Sequence, residues 1–549
     1  MEPTSQNIRW SLNEFFNSLN DPKIQKTLDT TLIKAKEFAL KYKNKVVKLT
    51  AIELANALKE KEDLLSPCYK LRQYISLLHS IDTNDEKTKK LLEKVDETES
   101  YIANEMLFFK LELAKIKSKD LNLLTKTSNL KNYQYYLQQN KNLAKYNLSE
   151  KEEKIVNLKN LTGSLAAKKL YQIFTSDFEF EFTLDNKKQK LNGSQLRNLR
   201  HHEDPCVRRS AMKLFFKKYK DNELIITHLY NTILKDYQIE CNLRGYKEPM
   251  SVMNTYNDLP DNAVNLLQNV TAKSYPLVGR YYKIKQKILK LDQMTLADIY
   301  APLPKSSTKF TWEEAKEIVL EGLSKFDQDF YLKGKLMFDE NRIDAPVEPK
   351  KRGGAFCSSS IPSLNPFVML NFLGKERDIS TMAHELGHAI HSQFSAKQNL
   401  FNFHARLPLA ETASVFSEML ITDLILKKET DKATKISLLT SKLEDIFATS
   451  HRQNMFFSFE KKSHDLASKT KASSEELCSL YKKELKSMFA GAVKLTPEYD
   501  WEWASIPHIF EVPFYVYAYN FGNLLVLAMY EKYLEEGKSF IPKYKEFLA

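Results

Sequence analysis

Glycine and proline are scarce in this sequence, and their scarcity limits the folds available to it. The 549 residues contain only 13 glycines and 18 prolines, too few to punctuate a chain of many short strands and turns. Apolar residues instead recur at intervals of three and four over long stretches such as 102–116 and 161–174, which is the spacing of an amphipathic helix. The sequence therefore predicts a mainly α fold.

Two segments depart from the helical pattern and predict short strands. Residues 178–182 read FEFEF, the alternation of a half-buried strand, and Asp185-Asn186 and Asn192-Gly193 are turn signals, so we expect a small β-hairpin. The second segment, 346–374, is a loop rich in Gly, Ser and Pro that leads into the apolar run FVMLNF, which suits a strand. Its PKKRGG stretch, at 349–354, is superficially like a nuclear address, but the glycines and the strand that follows favour a functional loop. Asp378 or Ser380 is expected to cap the next helix.

The charge and the cysteines exclude several classes of protein. The net charge of +12 is carried mostly by lysines that stand beside acidic residues in helical segments, without a nucleic-acid-binding signature, so we expect a solvated surface and no nucleic-acid partner. The N-terminus lacks the pattern of a signal peptide, and no apolar run is long enough to span a bilayer, so no membrane partner is expected either. The odd number of cysteines and the absence of CxxC are typical of reduced thiols in a cytoplasm; the cysteines are Cys68, Cys206, Cys241, Cys357 and Cys478.

The sequence HELGH at 384–388 predicts a metal site. On a helix, residues four apart lie on one face, so His384 and His388 can both direct a ring nitrogen at one ion. A catalytic zinc site has about three protein ligands and keeps one position for water. Glu385 is offset around the helix, outside the ligand set but near that water, where a general base is needed. The alternative is an accidental match, whose chance in such a chain is on the order of one in a hundred.

A third ligand is available downstream, in the amphipathic segment LPLAETASVFSEML. Glu411 stands at its start, far enough from His388 for the chain to turn and bring a second helix alongside the first. It would complete a set of two histidines and one glutamate. Glu418, seven residues further on, shares its face and could hydrogen-bond a ligand histidine. A surface carboxylate is the alternative for each glutamate, and His391 is interpreted as a hydrogen-bonded structural histidine.

H-E-x-x-H is typical of metalloproteases, and if this site hydrolyses peptides, the C-terminal region offers donors for the oxyanion that would form. His508 is followed by PFYVYAYNFGN, in which Tyr515, Tyr517 and Tyr519 alternate. From the residues alone, these tyrosines are either donors in a cleft or one aromatic helix face packed in the core.

In this order and spacing, four segments resemble the oligoendopeptidase F branch of the thimet-type oligopeptidases. They are PFVMLNF, TMAHELGHAIHS, LPLAETASVFSEML and HIFEVPFYVYAY. LADIYAPL at 296–303 and RGGAFC at 352–357 look like further family blocks, and 121–174 resembles the family's N-terminal domain. The similarity runs from about residue 100 to the end, and the first hundred residues are only loosely similar.

The resemblance implies a two-lobed helical shell around a deep substrate channel, with a small β-hairpin or edge-strand element near the zinc site. It implies one Zn²⁺ per chain, bound by His384, His388 and Glu411, with Glu385 activating water. His508 and Tyr515 would contact the substrate or its oxyanion, with Tyr519 as a further candidate. FVMLNF would be an edge strand that offers backbone groups to an extended peptide.

The loop before that strand would lie beside the channel, which makes Gly354 and Ala355 substrate-side candidates. The predicted organisation is an N-terminal helical region (1–110), a helical domain like the family's N-terminal domain (111–190) and a zinc metallopeptidase domain (191–549). Members of the family usually continue past the point where this chain stops, so we expect the last domain to be truncated at its C-terminus.

The function that we expect from the sequence is hydrolysis of internal bonds in short, unfolded peptides by a cytoplasmic zinc endopeptidase. Zinc-bound water would lose a proton to Glu385 and attack the carbonyl. Two alternatives stay open: a catalytically impaired peptide-binding protein, and a zinc carboxypeptidase or dipeptidase on a similar helical fold. The sequence predicts no oligomeric state.

Overall fold

The computed structural model describes residues 5–303 and 309–549, so the first four residues of the N-terminus lie outside it. The described residues are mainly helical, which confirms the predicted fold class. In chain order the α-helices are α1 (Pro22–Tyr42), α2 (Ala51–Ile81), α3 (Glu86–Lys115), α4 (Ser118–Leu124), α5 (Gln134–Leu143), α6 (Glu150–Thr162), α7 (Ser164–Ser176), α8 (Gly193–Asn198), α9 (Pro205–Asp221), α10 (Glu223–Arg244), α11 (Met250–Tyr256), α12 (Asp261–Lys273), α13 (Tyr275–Ile288), α14 (Trp312–Phe326), α15 (Gln328–Asp339), α16 (Glu376–Ser395), α17 (Leu407–Ala410), α18 (Thr412–Lys428), α19 (Lys432–Ile446), α20 (Gln453–Lys469), α21 (Ser474–Phe489), α22 (Pro507–Glu511), α23 (Tyr517–Glu536) and α24 (Phe540–Leu548).

Shorter elements connect the helices. The 3₁₀ helices are Val46–Lys48, Lys131–Tyr133, Ala144–Tyr146, Leu199–His201, Leu296–Asp298, Pro497–Ser505 and Gly537–Ser539, and a π-helix spans Phe447–Arg452. The strands are β1 (Glu179–Leu184), β2 (Lys187–Asn192), β3 (Ile343–Asp344), β4 (Phe356–Ser358) and β5 (Phe367–Met369). None of the described helices is both long enough and apolar enough to cross a bilayer.

The chain folds as two compact units, each built from separate stretches of sequence. Unit 1 comprises Met1–Glu150, Ser307–Glu429 and Leu525–Ala549, and unit 2 comprises Lys151–Ser306 and Thr430–Leu524. These are units of packing, so the sequence boundaries at residues 110 and 190 stay predictions.

The helices of unit 1 begin where side chains satisfy the first backbone amides. Asp21 caps α1, whose first residue is a proline, and Thr50 caps α2 in a reciprocal pair with Glu53. α1, α2 and α3 bury one apolar core, which includes Phe38, Leu71 and Phe109. A second core lies under the helix that carries the HELGH motif. That helix starts at Glu376, so its N-cap is Lys375 and not Asp378 or Ser380. Asp378 lies in the first turn, and its carboxylate accepts the amides of Leu373 and Lys375.

The predicted hairpin is confirmed in unit 2. β1 pairs antiparallel with β2, and the two residues between them, Asp185 and Asn186, both have positive φ, as a tight two-residue turn requires. The other turn signal, Asn192-Gly193, begins α8 instead, because the Asn192 side chain accepts the amide of Gln195 at 2.9 Å.

The second sheet, in unit 1, has the order β3–β5–β4, and the prediction that FVMLNF forms an edge strand is wrong. β5 lies in the centre because a two-residue strand, β3, pairs parallel with it on the side away from β4. The amides of Val368 and Leu370 donate to carbonyls of Arg342 and Asp344 at 2.9 and 2.8 Å. The backbone groups of Phe367 and Met369 therefore face β4. By the same alternation, the N–H and C=O of Cys357 point away from the sheet.

The two outer strands of this sheet have different surroundings. Beside β3 runs the N-terminal segment: the carbonyl of Ile8 accepts the amide of Ala345, and the amide of Ser11 donates to the carbonyl of Asn341. β4 forms the other edge. The edge strand of the sheet is thus the end of the RGGAFC segment, and not the apolar run that follows it.

A buried lysine fixes the loop between β3 and β4. The Lys351 side chain is fully buried, and its ammonium donates to the Asp344 carboxylate at 2.6 Å and to the carbonyls of Pro346 and Leu370 at 2.8 Å each. These three partners use the three protons of the ammonium group. The loop that leads into β4 is therefore tied both to β3 and to the residue that follows β5.

We predict that Lys351→Met destabilises the protein, because it leaves the buried Asp344 carboxylate without its closest partner. The free energy of unfolding should fall by about 3 kcal/mol, measured by urea denaturation. Lys350→Met is the matched control: its side chain is 64% exposed, so its effect should stay within about 0.5 kcal/mol. Equal stabilities of the two variants would contradict the role given to Lys351.

Candidate metal centre

α16 presents the two motif histidines on one face. His384 and His388 are one helical turn apart, with ring centroids 4.9 Å from each other and both rings partly exposed. Glu385, on the adjacent face of the helix, is only 6% exposed. The helix thus places the two imidazoles on one face and the Glu385 carboxylate beside them, as the spacing predicted.

Gly387 lets a second helix approach this face at backbone distance. A Cβ atom at Gly387 would lie 2.5 Å from the carbonyl oxygen of Ala413 and 2.6 Å from the Cα of Ser414, both at the start of α18. No side chain fits there, so the motif requires glycine at this position because the main chain of α18 occupies the space. The close approach brings the beginning of α18 beside the two histidines.

Glu411, at the residue before α18, completes a three-residue cluster. Its Oε2 lies 3.3 Å from Nε2 of His384 and 3.4 Å from Nε2 of His388, and one ligand atom from each residue lies within 4.8 Å of the others. Ligands about 2.0–2.1 Å from a tetrahedral zinc ion are roughly 3.3–3.4 Å apart. The donor types and the spacing therefore fit a zinc ion, and Ser414 steadies the carboxylate by donating to Oε2 at 2.8 Å.

Glu418 holds the ring of His384. Its Oε1 lies 2.6 Å from Nδ1 of His384, so a proton on Nδ1 is shared with this carboxylate and the lone pair of Nε2 is left for a metal. This is the contact that the seven-residue spacing from Glu411 predicted.

The electrostatics of the centre are those of a site built for a cation. Burial lowers the pKa of His384, but the hydrogen bonds and charges of Glu411 and Glu418 outweigh burial and hold that pKa well above its ordinary value. Burial raises the pKa of Glu411, and here the two histidines outweigh it and bring the pKa far below the usual range. A bound cation would replace the protons that otherwise balance these carboxylates. Burial also raises the pKa of Glu385, partly opposed by the histidines.

His391 and Tyr544 contact the residues before and after Glu411 and so support its position. His391 is half-buried and hydrogen-bonds the backbone of Ala410; burial lowers its pKa to about 4, so its ring is neutral. The hydroxyl of Tyr544, on α24, donates to the carbonyl of Thr412 at 2.9 Å. Both contacts hold the residues on either side of Glu411. Sequence reasoning missed Tyr544 and Ser414, because neither belongs to a spaced motif.

β4 packs against the motif helix. Burial, together with the nearby charge of Glu385, raises the pKa of the Cys357 thiol well above its ordinary value. Gly354 has φ +82°, a conformation that favours glycine, and its carbonyl and that of Arg352 accept from the side-chain amide of Asn371 at 2.7 and 3.0 Å. Gly354 and Ala355 thus lie directly before the edge strand.

The three C-terminal candidates form a cluster in unit 2. The rings of His508 and Tyr515 are stacked with centroids 5.9 Å apart, and Tyr519 lies edge-on to both. Burial lowers the pKa of His508 below its ordinary value. Tyr515 follows Phe514, whose positive φ is accompanied by a hydrogen bond from its amide to the buried Glu460 carboxylate at 2.9 Å. By contrast, Tyr517 packs in the core of unit 2, as the alternative interpretation of the tyrosines expected.

Comparisons with known proteins point to one family. The model of peptidase family M3 matches residues 198–549, and that of oligopeptidase F matches residues 112–180. An oligoendopeptidase F homolog of Borreliella burgdorferi is 27% identical and covers 99% of this chain and 91% of its own length. Oligopeptidase PepF of Bacillus subtilis is also 27% identical, over 92% of this chain and 76% of its own. The crystal structure of oligoendopeptidase-F from Enterococcus faecium has the same fold, with a TM-score of 0.72 at 21% identity over 96% of this chain and 90% of that one.

We predict that Gly387→Ala separates the metal ligands. The new Cβ would collide with the main chain of α18, so that helix must move and carry Glu411 away from the histidines. The protein should lose about 2 kcal/mol of stability and should retain less zinc after dialysis against a chelator, measured by atomic absorption. Gly193→Ala, where the added Cβ would meet only two phenylalanine ring atoms, at 3.7 and 3.9 Å, is the control. Normal zinc retention in Gly387→Ala would contradict the proposed role of the close approach.

Proposed function

The chain is a metallopeptidase that belongs to peptidase family M3, in its oligoendopeptidase F branch, and we propose that it uses zinc to hydrolyse internal bonds of short, unfolded peptides. The observation that carries this proposal is that one atom each of His384, His388 and Glu411 lie close enough together to bind one ion, beside the buried Glu385. The five free cysteines support the expected cytoplasmic setting.

We assign the metal to His384, His388 and Glu411, with Glu418 orienting the first of these. When bound, zinc supplies Lewis-acid chemistry: it polarises the scissile carbonyl and makes water more acidic. Glu385 has a separate task. Its carboxylate accepts the proton of the attacking water and then passes that proton to the nitrogen of the leaving amine. Its burial and its place next to His384 support this role.

We assign the edge strand β4 to the substrate backbone. The outward N–H and C=O of Cys357 can pair with an extended peptide, as in the addition of a strand to a sheet. Because backbone groups make these bonds, the peptide is held without regard to most of its side chains. β4 packs against α16, which also carries Glu385, so a peptide paired with it would pass the general base. Gly354 and Ala355 would contact the same peptide at the start of the strand.

We assign the developing oxyanion to the hydroxyl of Tyr515, with His508 as a second donor and Tyr519 as a partner that orients the histidine. A phenol hydroxyl can donate a hydrogen bond to an oxyanion. The stacked arrangement of His508 and Tyr515 supports their acting together.

We predict that Glu385→Gln abolishes cleavage of a short, internally quenched peptide while zinc stays bound. Losing the general base should lower kcat at least ~10²-fold, and zinc content is measured on the same preparations. Substituting Glu376, a half-buried glutamate of the same helix outside the centre, with glutamine should leave the activity unchanged.

The same peptide, supplied with a free and with an amide-capped C-terminus, separates two kinds of peptidase. Equal cleavage of both forms supports an endopeptidase, and loss of cleavage of the capped form would support a carboxypeptidase. Peptide binding without any cleavage by the wild type would make it a peptide-binding protein.

We predict that Tyr515→Phe lowers kcat on the order of 10²-fold and changes KM little, because an oxyanion donor acts mainly in the transition state. Zinc content should be unchanged. Tyr517→Phe, two residues along, removes a phenol that bonds the buried Asn257 and serves as the control; it should affect stability without this loss of kcat. Equal kcat values for the two variants would remove Tyr515 from the mechanism.

A further inference from the structure

β4 is a weak strand by its own contacts. It has three residues, it pairs with β5 on one side only, and its other side is the edge that we assign to the substrate. A strand of this length needs support from outside the sheet to hold one position. That support comes from α2, a helix that lies before both ranges matched by the family models.

Gln73, on α2, holds the end of β4. Its side chain is buried, with 4% of the residue exposed. The amide nitrogen donates to the carbonyl of Ser358 at 2.9 Å and lies 3.3 Å from that residue's hydroxyl, and the hydroxyl of Ser360 donates to the amide oxygen at 2.5 Å. All of these partners belong to the last residue of β4 and the turn after it.

The same helix also holds the segment that leads into β4. The carbonyl of Ser80, in the last turn of α2, accepts the amide of Arg352 at 2.9 Å. Two residues beyond the helix, the amide and the hydroxyl of Thr83 both donate to the carbonyl of Lys350, at 2.9 and 3.0 Å. α2 thus contacts the segment 350–360 before and after the strand, and β5 supplies the ladder between these two points.

Gln73 differs from the other supports because it acts through a side chain alone. The contacts of Ser80 and Lys350 include backbone hydrogen bonds that do not depend on a side chain, and only the hydroxyl of Thr83 adds a side-chain contact to them. The buried amide of Gln73 spends its hydrogen bonds on β4 and the turn after it. A side chain that served only to fill the core would need no donor and acceptor at this point, since methionine has nearly the same size and shape.

We propose that Gln73 is a positioning residue, which acts through Ser358 and Ser360 to hold β4 where it can pair with the backbone of a peptide substrate. This inference rests on the proposed function, because it takes β4 as the strand that binds the peptide. Among the described residues, the hydrogen bonds of the Gln73 side chain go to Ser358 and Ser360, and not to a metal ligand or to Glu385. Its loss should therefore weaken the binding of peptide and leave the chemical step intact.

The test compares Gln73→Met with the wild type in cleavage of a short quenched peptide. The neutral hydrogen bonds to Ser358 and from Ser360 are lost, so KM should rise about tenfold while kcat stays within about twofold. Zinc content should be unchanged. Gln139→Met removes another buried glutamine of unit 1, with 5% of the residue exposed, and should leave KM unchanged.

A second variant tests the path of the effect. Ser360→Ala removes one hydroxyl and should give a smaller rise in KM. In the double variant the rise in KM should be less than the product of the two single effects, because both substitutions remove the hydrogen bond from Ser360 to Gln73. If Gln73→Met folds poorly, the rise in KM of Ser360→Ala alone tests the same contact. Independent effects of the two substitutions, or an unchanged KM in Gln73→Met, would overturn the inference.

Binding without turnover separates this inference from the proposed function. In a Glu385→Gln background, the dissociation constant of the same peptide should rise about tenfold when Gln73→Met is added. If the wild type cleaves the peptide and Gln73→Met has no effect on KM or on binding, the inference is wrong and the proposed function stands. If the wild type neither cleaves nor binds the peptide, both are wrong.

Discussion

The metal centre depends on one contact between two main chains. At Gly387 the backbone of α18 comes so close to α16 that even a methyl group has no room. Through this contact Glu411 and Glu418 reach the two histidines from a single helix face, one at the ligand position and one at the opposite ring nitrogen of His384. Helix packing at ordinary side-chain distance would leave both carboxylates short of the rings. The position of the centre is therefore set by the packing of these two helices.

The residues of the centre could be predicted because their spacing reports directly on geometry. HELGH places two imidazoles one turn apart, and the interval between Glu411 and Glu418 places two carboxylates on one face, whatever lies around them. That interval allowed a hydrogen bond from Glu418 to a ligand histidine, and the structure shows which histidine it is, His384. Ser414, His391 and Tyr544 support the same site through contacts that depend on how distant segments pack, and no spacing announces them.

The sheet shows where reasoning from sequence fails. FVMLNF reads as a strand and is one, but its place in the centre depends on β3, whose two residues carry no pattern that could be recognised. The edge falls to three residues after the RGGA loop, where Gly, Ser and Pro suggested a loop. Similarly, the lysines of PKKRGG look alike in sequence, and yet Lys350 is exposed whereas Lys351 is buried among carbonyls. Lys351 can be buried because Asp344, Pro346 and Leu370 supply oxygen partners for its ammonium group, and the sequence around the lysine does not indicate them.

The shortness of the edge strand has a consequence for how copies of this protein meet each other in solution. An exposed strand invites the same strand of another molecule, and a long, flat edge of this kind promotes aggregation. Here the sheet ends in three residues on one side, and on the other the chain's own residues 8–11 run along β3. An edge this short offers too few hydrogen bonds to join two folded copies stably. The outer edge of β4 can thus stay unpaired without causing two copies of the protein to associate through it.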